Sequence, residues 1–65
     1  MTKQEKKNIE TMYNNYVTRS EMGSSIKERE LCKSIVKEVN SIMLALGYIP
    51  KENGYTGKIE FLRIK

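Results

Sequence analysis

The sequence predicts a small α+β domain, in which an antiparallel helical hairpin is followed by a C-terminal β-hairpin (ααββ). Two segments carry apolar residues at the period of an α-helix, and a glycine–serine break separates them. The end of the chain alternates apolar and polar residues around an Asn-Gly pair. A chain of 65 residues predicts one domain, 1–65, with helices over about 3–20 and 26–46 and the hairpin over about 48–64.

The first helix is expected to begin just after Thr2. Thr2 and Glu5 have the Ser/Thr-x-x-Glu spacing of a capping box, in which each side chain bonds the backbone N–H of the other. One face of the helix is apolar and carries Ile9, Met12, Tyr13, Tyr16 and Val17. The polar face opposite is expected to be solvated and carries Lys6, Lys7, Glu10, Asn14 and Asn15.

The break at residues 23–25 predicts the turn between the helices. We expect Gly23 to adopt a positive φ after the first helix, and Ser25 with Glu28 to form a second capping box. Gly47 is expected to end the second helix in the same way as Gly23 ends the first. The apolar face of this helix is broad, with Leu31, Cys32, Ile35, Val36, Val39, Ile42, Met43 and Leu46. One neighbouring helix cannot cover it.

The tail from Tyr48 onwards predicts a β-hairpin closed by a two-residue turn at Asn53-Gly54. That turn pairs Tyr48 with Ile59 and places both on the same face as Phe61. A looser turn would shift the register by one residue and reverse the faces of a strand, so the register stays open.

The predicted second strand is apolar on both faces. Ile59 and Phe61 point one way, and Leu62 and Ile64 point the other. The helices can cover one face only, so the other must meet another chain, wrap around a helix end or stay exposed. Pro50 makes the first strand an edge strand.

The stretch GYTGK, residues 54–58, raises the question of a phosphate-binding loop. Its glycine spacing is not that of a P-loop, and Ile59 stands where a hydroxyl is needed to bind Mg²⁺. A strand follows instead of a helix, so there is no helix N-terminus to hold phosphate. The pattern favours the turn of a hairpin.

The composition argues against an enzyme. The chain has no His and no Asp, so the usual pairs of nucleophile and base cannot form. Its single cysteine, Cys32, lies on the apolar face of the second helix and is expected to act as a small buried hydrophobe. We therefore predict no catalytic, cofactor-binding or metal-binding residue.

The charge pattern is mildly basic and mixed. The formal net charge is +4, spread along the chain among residues of both signs. Such a pattern is typical of a solvated surface and permits nucleic-acid binding without favouring it. A small basic DNA-binding transcriptional regulator, with residues 51–65 as a wing, is the alternative hypothesis.

We interpret the chain as a non-enzymatic protein–protein interaction module. Tyr is frequent in interface hot spots, and Tyr55 in the turn has no expected role in a core. The predicted partner-binding residues are Tyr55, Lys51, Lys58, Arg63, Leu62 and Ile64. Because so short a chain buries little core, we also expect a homo-oligomer, a dimer, formed through the broad helix face or by strand pairing at the hairpin edge.

The remaining expectations concern cellular context. The start of the chain has no apolar run, and no stretch is long and apolar enough to span a membrane, which predicts a cytoplasmic protein. All eight acidic residues are Glu, and Lys outnumbers Arg, a bias associated with AT-rich bacterial genomes. By analogy with other small proteins, an inhibitor or modulator of a host protein or defence system, encoded by a phage or plasmid, is the expected class.

Overall fold

The computed structural model describes residues 1–64 and contains two helices followed by two strands. These are α1 (Lys3–Met22), α2 (Ile26–Ala45), β1 (Tyr48–Glu52) and β2 (Ile59–Arg63). The helices form a hairpin, and the strands form a two-stranded antiparallel sheet whose inner face packs on the helices. The predicted ααββ fold is confirmed.

The predicted capping box at the start of α1 is present. Thr2 Oγ1 accepts a hydrogen bond from the Glu5 backbone N–H at 3.1 Å, and Glu5 Oε1 accepts one from the Thr2 N–H at 2.8 Å. The Thr2 backbone, and to a smaller extent its hydroxyl, favour the ionised carboxyl and lower the pKa of Glu5. This contribution to stability is present at neutral pH and is lost as the pH falls through the lowered pKa.

The turn between the helices does not use a positive φ. Gly23 has φ −61° and ψ 147°, and its N–H donates to the Arg19 carbonyl oxygen at 2.9 Å. The expectation of a positive φ at Gly23 is therefore wrong. The glycine is needed for space, because a Cβ would lie 2.6 Å from the Arg19 carbonyl oxygen and 3.0 Å from the Arg29 Cγ.

Gly23→Ala is expected to lower the free energy of unfolding by about 1–3 kcal/mol, because the new methyl group overlaps the backbone of α1. Gly54→Ala is the matched control, since a Cβ there meets nothing within 4 Å. The control should be neutral or slightly stabilising. Urea denaturation of both variants measures the difference, and equal midpoints would show that Gly23 is not sterically required.

α2 begins at the predicted residue, but the Glu28 carboxylate has a different partner from the predicted one. Ser25 Oγ accepts a hydrogen bond from the Glu28 N–H at 3.0 Å. The Glu28 carboxylate does not close the predicted capping box, because its Oε1 lies 3.3 Å from an Arg19 guanidinium nitrogen across the turn. Glu28 thus ties α2 to α1. Gly47, with φ 90°, ends the helix as predicted.

The core lies between the helical hairpin and the inner face of the sheet. Tyr13, Met43 and Phe61 are buried, and the rings of Tyr13 and Phe61 meet edge to face with centroids 4.9 Å apart. Cys32 is buried as predicted. Half-buried apolar side chains surround the cluster, namely Ile9, Val17, Val36, Val39, Tyr48 and Ile59. One residue of β2, Phe61, therefore joins both helices to the sheet.

The β-hairpin has a longer loop than predicted. Tyr48 pairs with Arg63 rather than with Ile59, and residues 53–58 form the loop. The predicted two-residue turn and its register are therefore wrong. The observed partner of Tyr48, Arg63, lies four residues after the predicted partner, Ile59. Because four is an even number, each side chain stays on its predicted face. Tyr48, Ile59 and Phe61 consequently still share the inner face, as predicted.

The Asn53 side chain explains the longer loop. Its Oδ1 accepts hydrogen bonds from the backbone N–H groups of Tyr55 at 2.8 Å and Thr56 at 3.3 Å. Its carbonyl oxygen accepts one from the Gly57 N–H at 2.8 Å. Gly57, not Gly54, has the positive φ, at 70°. Asn53 therefore acts through its side chain as an Asx turn and not as the first residue of a tight hairpin turn.

Candidate functional site

Two polar side chains of α1 form hydrogen bonds with the backbone of β2, along the strand edge that is not paired with β1. Asn14 Nδ2 donates to the Ile59 carbonyl oxygen at 2.8 Å, and Asn14 Oδ1 accepts from the Ile59 N–H at 2.7 Å. Glu10 Oε2 accepts from the Phe61 N–H at 2.7 Å. The expectation that Glu10 and Asn14 lie on a solvated face is therefore wrong. Their bonds occupy backbone groups to which another strand would otherwise pair.

The edge formed by β1 is also unsuited to strand pairing. Phe61 directs its N–H away from β1, so its cross-strand partner Pro50 likewise directs its backbone outward. Proline has no N–H to donate there. Neither edge of the hairpin therefore favours strand pairing, which was one of the two expected routes to a dimer.

The outer face of the sheet is not covered by either helix. Ile49 and Leu62 lie directly opposite each other on it and are 38% and 40% exposed. Ile64 continues the alternation and is 50% exposed. Lys51 lies next to this apolar pair, opposite Glu60. We call Ile49, Lys51, Glu60, Leu62 and Ile64 the outer sheet face.

Tyr55 lies in the loop that joins the two strands, and its side chain is fully exposed. Its N–H is bonded to Asn53 Oδ1 at 2.8 Å, and the Asn53 N–H closes the base of the loop on the Lys58 carbonyl oxygen at 2.8 Å. A loop whose backbone is already hydrogen-bonded loses little conformational entropy when its aromatic side chain binds a partner. The loop backbone at Tyr55 is therefore preorganised, and the aromatic side chain is accessible.

The structure brings some of the predicted partner-binding residues together and separates others. Lys51, Leu62 and Ile64 share the outer sheet face, and Tyr55 lies in the adjoining loop. Arg63 alternates with Leu62 and so lies on the inner side of the sheet, opposite Tyr48 at its end. Arg63 therefore does not belong to the same surface.

The basic residues of the predicted wing do not form one stripe. Lys51 lies on the outer sheet face, whereas Lys58 lines a concavity of ≈ 400 Å³ between α1 and β2. Arg63 lies on the inner side, and Lys65 falls outside the residues that the structure describes. A protein that follows a nucleic-acid backbone gathers its positive charge along one face, and these described residues do not.

Neither helix within residues 1–64 combines the length and the apolar content needed to cross a membrane. The same residues contain no group of three or more Cys or Glu side chains arranged to hold a metal ion. Comparisons with protein-family models, with curated proteins and with solved structures found no match to this chain.

Proposed function

We propose that the chain is a small non-enzymatic protein-binding module, whose binding surface consists of the outer sheet face and Tyr55. The supporting observation is the two-sidedness of β2. It buries Phe61 completely on the inner face and leaves Leu62 and Ile64 uncovered on the other. Large contiguous apolar patches, especially those rimmed by polar residues, mark interaction sites, and Ile49, Leu62 and Ile64 are neighbours on one face.

The chemistry of this surface defines the partner. The cross-strand pair of Ile49 and Leu62 forms an apolar centre, and the adjoining pair of Lys51 and Glu60 places one charge of each sign beside it. The surface fits a protein that presents an apolar patch with charged residues of both signs at its rim. The apolar centre then supplies affinity, and the charges favour encounter and orientation.

We further propose the cytoplasm of a bacterial host as the site of action, and inhibition or modulation of a host protein, including a defence protein, as the effect. A phage or plasmid origin is part of this proposal. The lone Cys32 thiol supports the intracellular location, and the Glu-only, Lys-rich composition supports an AT-rich genome. The inhibitory effect is proposed by analogy with other small proteins. A module without catalytic groups acts by occupying a surface that its partner needs.

Leu62→Asp is expected to weaken binding of the partner on the order of 100-fold, because it places a carboxylate at the apolar centre of the contact. The fold should be unchanged, since Leu62 is on the uncovered face. The control Met12→Asp introduces the same charge on α1, at a residue 42% exposed against 40% for Leu62. It should bind like the wild type.

The measurement is quantitative capture from a nuclease-treated host extract by each immobilised variant, with circular dichroism to confirm folding. Equal capture by Leu62→Asp and the wild type would refute the proposed surface. A ligand that is captured from an untreated extract and lost after nuclease treatment would instead support the DNA-binding alternative. That outcome requires a duplex affinity that falls steeply with salt.

A further inference from the structure

The chain exposes more surface than a compact monomer of its mass. Its accessible surface is 5186 Å². For a compact monomer of 7.6 kDa the expected value is about 4,300 Å². The excess of roughly 900 Å² is close to the ~800 Å² that each partner contributes to an interface of standard size. The excess is therefore about as large as the surface that one partner of a standard dimer buries, and the exposed apolar residues indicate where such an interface would lie.

Part of this surface is an apolar flank of α2. Leu31, Ile42 and Leu46 are 63%, 60% and 56% exposed, and Ile35 is half-buried. These four side chains fall within a sector of about 60° around the helix axis, given the rotation per residue of an α-helix. They lie beside the sector that faces the core, which contains Cys32, Val36, Val39 and Met43. We call Leu31, Ile35, Ile42 and Leu46 the α2 stripe.

The α2 stripe is symmetric about its own midpoint. Leu31 and Leu46 form its ends, Ile35 and Ile42 lie inside them, and both pairs are centred just after Glu38. A two-fold interface requires that a residue i meets residue j of the second copy while j meets i. Two antiparallel α2 helices centred there bring Leu31 to Leu46 and Ile35 to Ile42, twice each.

We propose that the chain forms a two-fold dimer in which the α2 stripes of two copies pack antiparallel. The dimer concerns a different surface from the outer sheet face and does not depend on the proposed function.

The mass of the full chain in solution tests the dimer. Sedimentation equilibrium over a wide concentration range is expected to give twice 7.6 kDa at high concentration. Ile42→Asp should weaken association on the order of 100-fold. The control is Leu44→Asp, on the opposite side of α2, where the side chain is 57% exposed against 60% for Ile42. This variant should associate as strongly as the wild type. Leu31→Asp repeats the test if Ile42→Asp loses helical content.

Removing the charge next to the symmetry axis is expected to strengthen the dimer. Glu38 lies on the margin of the α2 stripe, next to the axis, so each copy brings its carboxylate close to that of the other. Like charges at this point weaken association. Glu38→Gln is therefore expected to tighten the dimer severalfold, and a weaker dimer in this variant would contradict the proposed axis.

Cross-linking tests the direction of the helices. In a mixture of Ile35→Cys and Ile42→Cys chains, a disulfide should join the two different variants. Each variant alone should not cross-link through its new thiol, because equivalent residues are seven positions, about 10 Å, out of register. Peptide mapping separates these bonds from any at Cys32. A disulfide formed by Ile35→Cys alone would show parallel helices and overturn the proposal.

Two further results would overturn it. One is a mass of 7.6 kDa at every concentration. The other is a dimer that survives Ile42→Asp and is broken by Leu62→Asp, since the outer sheet face would then be the self-association surface.

Discussion

Phe61→Ala is expected to lower the free energy of unfolding by about 3–5 kcal/mol, a large share of the total. Phe61 is completely buried and contacts Tyr13 edge to face, with centroids 4.9 Å apart. Truncating a buried phenylalanine to alanine costs about 3–5 kcal/mol, and a chain of this length has a total stability of roughly 3–10 kcal/mol. The loss is large because one side chain joins β2 to the core residues of both helices.

Urea denaturation followed by circular dichroism measures this effect. Leu62→Ala is the matched control, since Leu62 is the next residue, lies on the uncovered face and is 40% exposed. It should cost less than about 1 kcal/mol. If Phe61→Ala and Leu62→Ala have the same midpoint, the inner face of the hairpin does not pack on the helices as described.

Asn14→Leu is expected to lower the free energy of unfolding by about 2–4 kcal/mol. The substitution removes the donor to the Ile59 carbonyl oxygen and the acceptor for the Ile59 N–H, at 2.8 and 2.7 Å. Both backbone groups are then left without a partner at a partly buried edge, where each costs about 1–3 kcal/mol. Leucine cannot bond either group, so the edge of β2 separates from α1.

Asn15→Leu is the control, because it makes the same change at the neighbouring, exposed residue. It should alter stability by no more than about 0.5 kcal/mol. Amide hydrogen exchange gives a local measurement, in which Asn14→Leu should greatly accelerate exchange of the Ile59 N–H. Unchanged protection of that amide would contradict its pairing with Asn14.

Features that depend on neighbouring residues were predictable from the sequence. The capping box of Thr2 and Glu5 and the positive φ of Gly47 follow from residues within one turn of the chain. The burial of Tyr13 and Met43 follows from helical periodicity. In each case the residues that decide the structure are close together in the sequence.

Features that depend on contacts across the fold were not predictable in this way. Gly23 is required by the closeness of Arg29 on the next helix, which local sequence does not show. The bonds from Asn14 and Glu10 to β2 join residues far apart in the chain. Their only sequence signal is that the two polar residues lie one helical turn apart, which is also typical of a solvated face.

The candidate surface was predictable in part, and its error comes from a local feature. The alternation of Phe61 and Leu62 predicts opposite faces for them, and this survives the change in register because that change is even. The direct pairing of Ile49 with Leu62 is not predicted, since the expected two-residue turn pairs Ile49 with Lys58. The error arose at Asn53, whose side chain bonds two loop N–H groups and so favours a longer loop.

Site-specific photo-cross-linking in host cells tests the proposed binding surface most directly. A photoreactive phenylalanine analogue replaces Leu62 in one variant and Met12, which is similarly exposed on α1, in the other. The variant at residue 62 is expected to form a covalent adduct with a second, different protein, and the variant at residue 12 is not. An adduct from residue 12 alone, or equal adducts from both positions, would contradict protein binding through the outer sheet face.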